Sequence, residues 1–159
     1  MKKLIVLFFV FMSICSYAQR ETDSVYARCP VGVLDTLTGN NYFIAHQPAT
    51  VKAYRNHGDF VVVVEQRGQY LTLMFHTRNL RSKKKYKITL DDNGRAELTA
   101  KYSFRSGESV AFIDVSSGTV ETTYDKVTKL WHLVVNGLIA NMGDTKVTYF
   151  KAKGDFYIK

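Results

Sequence analysis

Tyr86-Lys87-Ile88-Thr89-Leu90-Asp91-Asp92-Asn93-Gly94-Arg95-Ala96-Glu97-Leu98-Thr99-Ala100-Lys101-Tyr102-Ser103-Phe104 is the most regular stretch of the chain. Tyr86, Ile88 and Leu90 alternate with Lys85, Lys87 and Thr89. After Asp91-Asp92-Asn93-Gly94, Ala96, Leu98, Ala100, Tyr102 and Phe104 alternate with Arg95, Glu97, Thr99, Lys101 and Ser103. A period of two is the period of a β-strand. One apolar and one polar side mean one face on a core and one in water. Asn-Gly supplies the positive φ angles that a two-residue turn needs, so the pattern predicts an antiparallel hairpin over 86–104.

The same punctuation extends in both directions. Upstream, Tyr42 to His46 reads as a short strand ended by Pro48, and Val51 to Tyr54 as another. His57-Gly58-Asp59 is a turn, and Phe60 to Glu65 is a strand whose four valines predict burial on both faces. Arg67-Gly68 turns the chain into Gln69–His76, where Leu71, Leu73 and Phe75 share one face and Tyr70, Thr72, Met74 and His76 the other. Downstream, Val110 to Val115 is a strand interrupted in polarity by Asp114, and Ser116-Ser117-Gly118 breaks it before Thr119 to Tyr124. Leu130 to Val135 follows, bent or turned at Asn136-Gly137, and Gly143-Asp144 marks another turn. Lys146 to Ala152 and Phe156 to Ile158 close the chain with a break at Gly154. Turn signals at this spacing, with no amphipathic helix, predict one all-β domain at 25–159: an antiparallel sandwich or barrel of about eight to ten strands. Ser117 to Phe156 resembles the closing three strands of many small exported bacterial β proteins; the resemblance supports the fold class and implies no active site.

The first residues read differently. Lys2-Lys3 precede an unbroken apolar run from Leu4 to Met12, and Ser16-Tyr17-Ala18 fits the small-x-small rule for cleavage before Gln19. The run is shorter than the ~20 residues that span a bilayer. Residues 1–18 are therefore expected to be a signal peptide and 19–24 a flexible leader, placing the mature chain in the periplasm or outside the cell. Acylation at Cys15 is the alternative, disfavoured by the bulky Ile14 before it. No later apolar run reaches spanning length. Losing Lys2 and Lys3 takes the 22 basic residues to 20 against 14 acidic ones, a formal +6. That balance suits an anionic envelope glycan, lipid or protein partner; nucleic acid is not expected for an exported chain.

Catalytic signals are sparse. No Gly-x-Ser-x-Gly elbow, phosphate-cradling loop or cysteine-protease signature occurs, and no catalytic residue is assigned. His46, His57, His76 and His132 stand at no metal-ligand spacing, so neither a metal nor a cofactor is expected; His57-Gly58-Asp59 is read as a plain turn. Cys29, alone in the mature chain, is expected to be a small buried residue. His132 is expected in or beside the core. Asp114, if buried, needs a partner or a raised pKa; an edge position or a strand end explains it as well. Arg78, Arg81, Lys83, Lys84 and Lys85 form the densest basic run, fit either for anionic groups or for a solvated loop whose lysines discourage edge pairing. Tyr70 and His76, on the second face of their strand, could line a ligand cavity or a partner surface. The expected role is a non-catalytic binding or accessory module of the envelope, with a motif-free hydrolase or a structural subunit as alternatives.

Overall fold

The computed structural model describes residues 29–91, 94–142 and 147–159. The expected signal peptide and leader lie outside them, as do Asp92-Asn93 and the Gly143-Asp144 turn. Among the described residues there is no helix, and nine strands follow one another: β1 (Val31–Asp35), β2 (Thr50–Asn56), β3 (Asp59–Gln66), β4 (Gln69–Phe75), β5 (Lys84–Thr89), β6 (Leu98–Ser106), β7 (Ser109–Asp125), β8 (Leu130–Met142) and β9 (Val147–Ile158). They form one sheet in the order β1-β9-β8-β7-β5-β6-β4-β3-β2. The sheet curls on itself as a half-barrel, with β1 and β2 as its two edges.

The hairpins β2–β3 and β3–β4 are built as their turns require. His57 (φ 48°) and Gly58 (φ 100°) link the first pair, Arg67 (φ 51°) and Gly68 (φ 74°) the second. Paired positive φ angles match the right-handed twist of the flanking strands. Leu71, Leu73 and Phe75 are fully buried on the concave side. Val61, Val62 and Val64 are buried too, so β3 hides apolar groups on both faces.

The predicted 86–104 hairpin is not formed. β5 pairs antiparallel with the second half of β7, from Lys84↔Thr122 to Thr89↔Ser117. β6 pairs with the first half of β7, from Lys101↔Asp114 to Ser106↔Ser109, and with β4 on its other side. β5 and β6 touch through a single parallel bridge, Ile88↔Leu98. The two strands thus follow one another along the same flank of β7. Alternation dictates which side chains face the core, and Tyr86, Ile88, Leu98, Ala100 and Tyr102 all do. It does not dictate the partner strand.

Four further expectations are corrected. Ser116-Ser117-Gly118 does not end a strand: β7 runs 17 residues through it, with a bulge between Val115 and Ser117. The extra residue restores the phase, so that Val115 and Val120, five apart, are both buried. Gly118 sits opposite Gly137 at φ 145°, and a Cβ there would lie 2.2 Å from the Asn136 carbonyl oxygen. Two glycines back to back let the long strands β7 and β8 bend without breaking. β8 likewise passes through Asn136-Gly137, and β9 through Gly154. Residues 42–46 form no strand. Only Asn41 bridges to Leu34, and its Oδ1 accepts from the Val33 and Phe43 amides at 3.0 and 3.2 Å. The buried Gln66 side chain bonds Ile44 through both its oxygen and nitrogen, at 2.6 and 3.0 Å. These bonds hold the 36–49 loop against the core, in which Phe43 is fully buried.

Candidate functional site

The relay of β7 from one partner to the next opens the outer face of the sheet. Where β5 ends and β6 begins, a groove of about 430 Å³ lies over β4, β6 and β7. That volume falls within the ~300–1,000 Å³ of typical small-ligand sites. β4 contributes Thr72 and Met74, with His76 just beyond its end; β6 contributes Thr99 and Lys101; β7 contributes Asp114. Thr89, Leu90 and Asp91, leaving β5, form the remaining wall.

The floor is organised by hydrogen bonds. Asp59 closes the β2–β3 turn, and the Phe60↔Phe75 register sets it beside the end of β4. Its Oδ2 is 3.2 Å from Nδ1 of His76. The other ring nitrogen, Nε2, is 3.3 Å from Thr99 Oγ1. Beside this chain, Lys101 Nζ lies 3.6 Å from Asp114 Oδ1 and 4.8 Å from the Phe112 ring centroid. Hydroxyl, imidazole and carboxylate therefore stand in line. Thr99, however, lies within the ladder opposite Met74 rather than on the exposed elbow that presents a nucleophile. The line orients His76 and Thr99 toward whatever occupies the groove.

The residues singled out from sequence are dispersed. His76 lies in the groove, whereas Tyr70, on the same face of β4, is outside its lining. Arg78, Arg81 and Lys83 are exposed. Lys84 bonds Glu97 at 2.7 Å and covers the Tyr86 ring at 4.4 Å; Lys85 bonds Glu121 at 2.6 Å. Two of the five basic side chains in that run are thus neutralised locally. His132 lies on the outer face instead of in the core, 2.6 Å from Asp155 and stacked on Tyr157 at 4.6 Å. Asp114 takes the exposed position, with Lys101 as its partner. Cys29 is half-buried, donates to the Val31 carbonyl at 3.2 Å, and its thiol is pushed above its ordinary pKa by burial. Among the described residues no three His, Cys, Asp or Glu side chains converge as metal ligands, and no helix is long and apolar enough to cross a membrane.

Asp59, Thr99 and Lys101 joined the site only through tertiary pairing. Asp59 reads as a turn residue, and Thr99 and Lys101 as ordinary solvent-facing positions of an amphipathic strand. The advance signals were the Thr72, Met74 and His76 face of β4 and Asp114, a carboxylate inside an apolar run. Comparison of the chain with protein-family models, with curated proteins and with solved structures finds no match.

Proposed function

We propose that this chain is an exported, non-catalytic binding module that holds a glycan in the groove above β4, β6 and β7. One observation carries the reading: the curled sheet brings three threonine hydroxyls, an imidazole, an ammonium and two carboxylates around one cleft with an apolar strip at Met74 and Leu90. Polyhydroxyl ligands need such mixed, fixed donors and acceptors beside a patch that can meet their C–H faces. Export rests on the cationic, apolar and small-residue order of the first 18 residues. The test is a glycan array probed with the mature chain and with Thr72→Trp, which plugs the groove from a half-buried position on the outer face. Retention of a defined glycan by the parent, with at least tenfold weaker retention by the folded plug variant, is expected. Equal retention by both, or none by the parent, would discard the groove.

Anionic envelope material is the second reading. Among the described residues Arg78, Arg81 and Lys83 have no carboxylate within 4.0 Å, unlike Lys84 and Lys85. Binding there would survive the plug and respond to salt.

A further inference from the structure

The hydrogen-bond polarity of the groove narrows the ligand further. This step rests on the glycan-binding reading just given. An ionised carboxylate can only accept, so in the tautomer that pairs with Asp59 the His76 proton sits on Nδ1. Nε2 is then an acceptor, and the Thr99 hydroxyl must donate its one proton to it. Toward the groove Thr99 therefore offers only lone pairs. Asp91 and Asp114 add acceptors, while the one ammonium, Lys101, is already drawn to Asp114 and to the Phe112 face. Apart from His76 the lining carries two carboxylates against one ammonium, inside a chain of formal charge +8. Asp59, behind His76, deepens the negative potential.

A cleft with more carboxylates than ammonium groups in a basic protein selects against the anionic ligands that the overall charge would attract. It favours a ligand that brings donors and positive charge. Hydroxyl-bearing rings suit the three threonines, and the strip formed by Met74 and Leu90 suits their C–H faces. We infer that the groove recognises amino-sugar units bearing free amines, with the ammonium directed to Asp114 and Asp91 and a ring hydroxyl donating to Thr99.

Titration calorimetry of the mature chain tests this with four probes: a β-1,4-linked glucosamine trimer, its fully N-acetylated counterpart, a uronic-acid oligosaccharide of equal length, and spermidine. The glucosamine trimer is expected to bind at least tenfold more tightly than each of the others. Asp114→Asn should remove most of that preference, and Thr99→Val should weaken the trimer with the fold intact by circular dichroism. If the acetylated trimer binds equally well and is blocked by Thr72→Trp, the groove is a glycan site but the amine assignment is wrong. Equal binding of spermidine shows charge alone at work and overturns the sugar component. Stronger binding of the uronic-acid probe overturns the polarity argument. If no saccharide binds at all, this inference and the glycan reading fall together.

Discussion

Tyr102 illustrates how one side chain takes its properties from its surroundings. Its alternation in β6 points it inward, where it is 5% exposed and packs near Tyr42, Phe43 and Phe104. The hydroxyl donates to Gln69 Oε1 at 2.7 Å, and Gln69 in turn donates to the Tyr42 carbonyl at 2.6 Å. Burial, helped by the neighbouring Tyr42, pushes the phenol up to about 12. The neutral form is thus favoured by folding. The associated stability is complete below the unfolded value, about 10, and is lost as pH rises through that value toward 12. Tyr102→Phe should cost about 1–3 kcal/mol near neutrality, because Gln69 loses its donor. It should also flatten the alkaline decline relative to the parent. Urea midpoints at neutral pH and across the alkaline window measure both effects; an identical alkaline slope would refute the assignment.

Element-scale behaviour centres on β7. Seventeen residues serve two partners on one flank and β8 on the other. The bulge at Ser116, whose hydroxyl donates to the Leu138 carbonyl at 2.8 Å, corrects the phase between the two halves. Gly118 makes the crossing possible. Gly118→Ala would place a methyl against the Asn136 carbonyl and force a side chain into a positive φ. A loss of about 2–4 kcal/mol is expected, strain and overpacking together. Ser117→Ala, one residue away and exposed, should stay within about 0.5 kcal/mol. Comparable losses for the two would show that the glycine crossing does not matter. The mistaken hairpin belongs to this scale as well. Asn-Gly and clean alternation are local signals, and the alternation of 86–89 and 98–104 is kept in the actual pairing. What they lacked was the long ladder of β7, which accepts β5 and β6 end to end.

For the whole molecule, the single curled sheet encloses one core. Residues from all strands except β2 are buried in it, and Val51 and Ala53 of β2 pack against it. One shared core implies cooperative melting. Far-ultraviolet and near-ultraviolet dichroism of the mature chain should report one coincident transition in urea, with the tyrosines and Trp131 moving together with the sheet. Separate midpoints would mean that the β1–β9–β8 end and the β2–β3–β4 end unfold independently. The same curl builds the groove, since Thr99, Asp114 and Asp59 come from three strands and His76 follows directly on a fourth.

The sequence by itself determined the all-β class, most strand positions and the side most strand residues turn inward, because a period of two and turn chemistry are local properties; Leu90 and His132 are exceptions. Leu71, Leu73, Phe75, Ile88, Leu98 and Ala100 were all legible in this way. It also pointed to the Thr72, Met74 and His76 face and to the oddity of Asp114. Strand partners were decided only in the tertiary structure. Hydrogen-bonding backbone is nearly the same at every residue, so nothing local distinguishes a hairpin from two strands laid along a third. Continuity through Gly118, Gly137 and Gly154 was hidden for a related reason: glycine marks a turn when the chain is free to reverse, and a close crossing when a neighbouring strand already occupies the space. The candidate site followed the pairing. Asp59, His76, Thr99 and Asp114 are far apart in sequence, and only the register of β3, β4, β6 and β7 brings their charges and hydroxyls to one cleft.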